Sequence, residues 1–134
     1  MCTAPKAGAA KVRRQDVKYV LLIYNNLATY ESWSEQERAA LFGEVDTIMQ
    51  ELTASGELVG TEALADTSQA KTVRVRDGNM LLTHGPFADS GEKMAAYELI
   101  ECASMDEAIR VASLHPMARA ATVEVRPIWA ELAR

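Results

Sequence analysis

The chain has 134 residues, 49% of them hydrophobic and 25% charged, with a net charge of −5. That size and balance fit one globular domain, one that buries roughly 65–70% of its extended-chain surface and needs no staples. A membrane span is not expected, since no apolar run approaches the ~20 residues one requires, and neither is a signal peptide, since residues 1–15 hold no apolar segment.

Cys2 and Cys102 are the two cysteines, too few and too scattered for a disulfide framework, which fits a reducing cytoplasm. Charge is unevenly spread. Lys6, Lys11, Arg13, Arg14 and Lys18 face only Asp16 in the first 18 residues, so the rest of the chain is more acidic than the total. An acidic body repels nucleic acid at long range, so nucleic acid is not an expected partner. Residues 1–17, rich in Ala, Gly and Lys, read as a flexible basic tail, and residues 18–134 as the single domain.

Lys18 to Tyr24 reads as a first strand, apolar on both faces, followed by a loop over 25–32. Ser34 and Glu37 have capping-box spacing and open a helix with Leu41, Val45, Ile48 and Leu52 on one stripe and Gly56 as its stop. Residues 57–64 form a second strand, with Leu58, Gly60 and Glu62 on one face and Val59, Thr61 and Ala63 on the other. Residues 72–76 alternate strictly, Asp77-Gly78 is a hairpin turn, and 79–83 is the partner strand. That strand delivers the chain to His84-Gly85-Pro86-Phe87, where a rigid turn sets the directions of its flanking side chains. Residues 94–102 form a further strand with Tyr97, Leu99 and Glu101 on one face. Ser104 and Glu107 repeat the capping spacing before a short helix with Ala108, Ile109 and Ala112 inward, which His115-Pro116 closes. Residues 122–128 are the last strand, with Val123 and Val125 opposite Glu124 and Arg126.

This order, βαβ, an inserted hairpin, then βαβ, predicts an α+β ferredoxin-like fold: an antiparallel sheet with two helices on one face. Two helices cover one face only, yet the first strand is apolar on both. A second copy on the open face, giving a homodimer, is the simplest remedy.

With these elements in place, the chain resembles the YCII-related domain family in its DGPF subgroup, over residues 18–128. The resemblance rests on Lys18 to Tyr24, Leu58-Val59-Gly60, Thr72-Val73-Arg74, Gly85-Pro86-Phe87-Ala88-Asp89, Glu92-Lys93, Asp106-Glu107-Ala108 and Val123 to Ile128, in that order. It implies a dimeric α/β-barrel arrangement with a cleft between sheet and partner, and no settled reaction. Some relatives lie beside or are fused to transcription sigma factors, a domain absent here. A related branch is thought to use a histidine–aspartate pair, which spacing does not mark in this chain. The subgroup's name-giving aspartate is replaced by His84.

His84 is the candidate acid–base group, set against a histidine that merely bonds within its turn. His115 is a second candidate, set against a cap at its helix end. Arg126, Arg74 and Lys93 are candidates for holding a carboxylate or phosphate, set against ion pairs with Glu62, Glu98 or Glu124 on neighbouring strands. Tyr24, Tyr97 and Phe87 suit a pocket wall, set against core or dimer packing. No metal-ligand spacing, phosphate loop or nucleophile elbow is present, so no metal or cofactor is expected. Two readings stay open. One is a cytoplasmic homodimer whose cleft binds a small polar or anionic molecule, with cofactor-free acid–base chemistry at His84. The other is a non-catalytic dimerisation or regulatory module linked to transcription control.

Overall fold

The computed structural model describes residues 17–88 and 91–129; the expected basic tail lies almost wholly outside the described residues. Strand β1 (Val17–Asn25) turns Tyr19, Leu21 and Ile23 into the core and leaves Val20, Leu22 and Tyr24 half-buried on the reverse face. It pairs antiparallel with β5 (Lys93–Cys102) on one side and β6 (Thr122–Pro127) on the other. Strand β2 (Leu58–Ala63) pairs antiparallel with β5, so the sheet runs β2-β5-β1-β6. This mixed α+β architecture is compatible with a ferredoxin-like fold.

Asn25 to Ser32 is not the simple loop that its polar start suggests. Asn26 accepts a 2.7 Å bond from the Thr29 amide and caps a short helix, α1 (Leu27–Ser32). Helix α2 (Glu35–Ser55) opens on a complete capping box. Ser34 Oγ accepts from the Glu37 amide at 3.0 Å, and Glu37 Oε1 accepts from the Ser34 amide at 2.8 Å. Each bond satisfies an amide that the helix itself leaves without a partner. Gly56 ends α2 at φ 86°, a left-handed angle at which glycine has no Cβ penalty.

Helix α3 (Met105–Leu114) is capped by Ser104, which accepts from the Glu107 amide at 3.2 Å, while the Glu107 carboxylate bonds Arg110. Its buried stripe is Ala108, Val111 and Ala112; Ile109, expected inward, is exposed, because Val111 rather than Ile109 lies over the strands. A further short helix, α4 (Pro116–Ala120), follows at once, with Pro116 in its first turn. The sequence pattern closes α3 at His115-Pro116, as observed, but assigns no element to the residues before the last strand, where α4 lies. The main core joins Tyr19, Leu21, Leu52, Ile100, Ala108 and Val111, so the helices cover one face of the sheet. Full burial of a Leu or Ile such as Leu21 or Ile100 contributes about 1.5–3 kcal/mol.

The alternation expected for β2 is broken. A bulge sets Leu58 opposite Ile100 but Gly60 opposite Leu99, so Leu58 joins the core while Gly60 and Glu62 lie on the uncovered face.

Strands β3 (Lys71–Arg76) and β4 (Asn79–His84) form a separate two-stranded ribbon. Its turn has positive φ at both Asp77 (52°) and Gly78 (78°), the geometry that matches the twist of a tight hairpin. The ribbon inserts between β2 and β5 and leaves from the end of the sheet where Asn25 faces Lys93.

Candidate functional site

The face of the sheet away from the helices carries two rows set by strand register. In one, Glu62, Tyr97, Leu22 and Glu124 lie side by side across β2, β5, β1 and β6. In the next, Gly60, Leu99, Val20 and Arg126 do the same. Tyr24 continues the β1 side beside Thr122. The result is an apolar floor of Val20, Leu22, Leu99 and the Tyr97 ring, edged by carboxylates and one guanidinium. Three of the sequence-predicted candidates, Tyr24, Tyr97 and Arg126, therefore share this face.

Tyr24 is the electrostatically distinctive group there. Burial raises its phenol pKa above the usual 10.0; the charge of Glu124 and a hydrogen bond to that carboxylate raise it further, and Arg126 pulls the other way. A phenol, a carboxylate and a guanidinium thus act on one another within a small area. Together they present a donor, an acceptor and a cation to a polar ligand.

Three more predicted residues lie on the ribbon. His84 is exposed at the end of β4, directly across from Lys71. Gly85, at φ 111°, follows it, and the turn is tied back by Gly85 N–H to Ala70 O at 2.7 Å and Thr72 Oγ1 to Gly85 O at 2.8 Å. Arg74 stacks its guanidinium over the Phe87 ring at 5.0 Å. Arg74 and Phe87 are thus brought together on the ribbon, whereas His84 lies on its other face. Lys93 starts β5 opposite Asn25.

His115 lies deep inside the chain. Its Nε2 is 2.7 Å from Glu98 Oε2, with both side chains almost fully buried. Its Nδ1 accepts the Met117 amide at 3.1 Å, which caps α4. With Nδ1 accepting, Nε2 carries the proton and donates to Glu98. The imidazole therefore caps the N-terminus of the next helix, while the helix that His115 closes is served by its backbone N–H, which donates to Ala112 O at 3.1 Å. Both ring nitrogens are engaged within the fold, so neither faces a ligand. The sequence reading offered Glu98 as a partner for arginines or lysine on neighbouring strands; it is the His115 partner instead. Register gives the reason: Glu98 faces Leu21 and stands on the core side of β5 with Ala96 and Ile100. One charged residue on an otherwise apolar inward face requires a buried partner, a signal present in the sequence and missed.

Two shallow grooves run along α2, one bounded by Trp33, Glu44 and Arg119, the other by Met49, Leu58 and Thr61; neither includes a sequence-predicted site residue. Arg119 bonds Glu44 across the first at 2.8 Å. Among the described residues, no helix is long and apolar enough to cross a membrane. No three His, Cys, Asp or Glu side chains among them gather as a metal site.

The chain is similar to an uncharacterised protein of Rhizobium meliloti (strain 1021), 31% identical over 112 residues, covering 82% of this chain and 90% of that protein. The sequence profile described as the YCII-related domain matches residues 17–131. That match spans most of the chain, including the four-stranded sheet and helices α1 to α4, and the protein belongs to the YCII-related domain family.

Proposed function

We propose that the protein is a cytoplasmic homodimer that binds a small polar molecule with an anionic group over its uncovered sheet face. The observation that carries this reading is the Tyr24–Glu124–Arg126 cluster beside an apolar floor. Small-molecule sites combine mostly apolar walls with a few convergent polar groups, and this face has that make-up. Arg126 orients the anion through its planar donor fork, Tyr24 and Glu124 bond its polar groups, and Tyr97 packs against its body. In a dimer of the α/β-barrel type, the second copy closes the cleft. His84, an exposed imidazole, is the group suited to moving a proton.

The exposure of His84 in the single chain favours a second reading. There the chain is a dimerisation or regulatory module tied to transcription control, with no reaction of its own.

A thermal-shift screen of small carboxylates and phosphorylated compounds separates the two. The first reading expects a ligand that raises Tm through binding to the native state. It also expects that the shift disappears in Arg126→Ala. A panel with no stabilising compound, or a shift unchanged in Arg126→Ala, contradicts it.

A further inference from the structure

The ribbon has two chemically different faces. Register puts Lys71, Val73 and Val75 of β3 beside His84, Leu82 and Met80 of β4 on one of them. The other carries Thr72, Arg74 and Arg76 beside Thr83, Leu81 and Asn79. On the first face Val73, Val75, Met80 and Leu82 are 57%, 60%, 65% and 49% exposed. Four adjacent large apolar side chains are thus unpacked in the single chain. An isolated two-stranded hairpin is marginal in water, so a ribbon of this kind needs something to lie against.

The chain itself offers a matching surface. Val20, Leu22 and Leu99 form the floor of the uncovered sheet face. On its Val73–Val75–Met80–Leu82 face the ribbon carries Lys71 and no carboxylate, whereas Glu62, Glu101 and Glu124 outnumber Lys18 and Arg126 on the sheet face. The two surfaces are therefore complementary in both apolarity and charge. Size points the same way. A stable interface takes roughly 20–30 residues a side, and Lys71, Val73, Val75, Met80, Leu82 and His84 of the ribbon add to what the sheet face presents.

We infer that the ribbon is an arm that docks by its Val73–Val75–Met80–Leu82 face on the open sheet face of a second copy, forming the missing wall of the ligand site. This rests on the reading of that sheet face as the site. It also gives His84 a setting. His84 and Lys71 stand on the docking face, at the ribbon's base, so docking turns them toward the shared cleft. An acid–base group and a cation then come from one copy, and the Tyr24–Glu124–Arg126 row from the other. The Arg74–Phe87 stack remains outside, on the opposite face.

Two measurements test the arm. In a mixture of isotope-labelled and unlabelled copies, filtered NMR should show intermolecular contacts from the Val73, Val75 and Leu82 methyls to those of Val20, Leu22 and Leu99. The double substitution Val73→Glu with Leu82→Glu falls on exposed positions, so circular dichroism should remain native. It should weaken the dimer by about tenfold or more in Kd, while Thr83→Glu on the opposite face leaves Kd unchanged. A dimer whose ribbon methyls show only contacts within one chain, or whose Kd ignores the double substitution, overturns the arm and leaves the sheet-face reading intact. A monomer in light scattering overturns both.

Discussion

His115 joins a strand to a helix through its two ring nitrogens: Nε2 meets Glu98 Oε2 of β5 at 2.7 Å, and Nδ1 takes the Met117 amide that opens α4. The pair thus fixes where the chain turns out of α3 and back toward β6. Glu98 Oε1 is buried with no hydrogen-bond partner among the described residues, where His115 is the carboxylate's side-chain partner. Removing the histidine would leave a buried carboxylate uncompensated. His115→Ala should cost about 3–5 kcal/mol in urea unfolding. Glu98→Gln keeps an acceptor for Nε2–H and removes the charge, so its cost should be about 1 kcal/mol or less. Equal losses in the two variants would contradict this account of the pair.

The cap of α2 gives a smaller, cleaner effect. Ser34→Ala removes the acceptor of the Glu37 amide without disturbing any packing. It should lower stability by about 1 kcal/mol and Tm by about 3–6 °C. Calorimetry that finds no change would mean the first turn of α2 does not contribute to the cooperative unit.

Tyr24 should titrate late. Its native phenol pKa lies above the unfolded value near 10.0 through burial first and Glu124 second. A raised pKa means that the native state holds the proton more tightly. The associated stability is full below the unfolded pKa and lost as pH rises through the native one. Glu124→Gln should therefore bring the titration down toward the ordinary value, and Arg126→Ala should move it higher. NMR of ring-labelled tyrosine reads both shifts. A Tyr24 titration unaffected by Glu124→Gln would remove the electrostatic basis of the site.

His84 is exposed, so His84→Ala should change stability by no more than about 0.5 kcal/mol. If His84 moves the proton in a reaction, the same change should reduce the rate on a substrate by about 10²–10⁴-fold, and His84→Asp should retain activity with an acid-shifted pH profile. Full activity in His84→Ala would leave the histidine as part of its turn.

Much of the fold was legible because its signals are local. Ser34 with Glu37, Gly56, Asp77-Gly78 and the alternation of β5 and β6 each specify structure within a few residues. The misses have physical causes. The β2 bulge adds one residue opposite β5, which no alternation count within β2 reveals. Helix α1 is one short segment held by an Asn26 cap, too brief for a periodic stripe. Ile109 and Val111 are both apolar, and only packing decides which faces inward. The site divides in the same way. Alternation sorted Tyr97 and Arg126 each onto one side of its own strand, but only pairing through β1 makes the two sides one face, and the His115–Glu98 bond spans 17 residues between a helix end and a strand. Its trace was the one acidic residue on an apolar inward face.

Everything said of the uncovered sheet face depends on its being paired with a second copy. Light scattering at micromolar concentration measures this directly. The account predicts twice the chain mass, through an interface that buries at least about 1,600 Å² in total, and a shift to the single-chain mass in Leu22→Glu, at the centre of the apolar floor. A wild-type protein that scatters as one chain would contradict it.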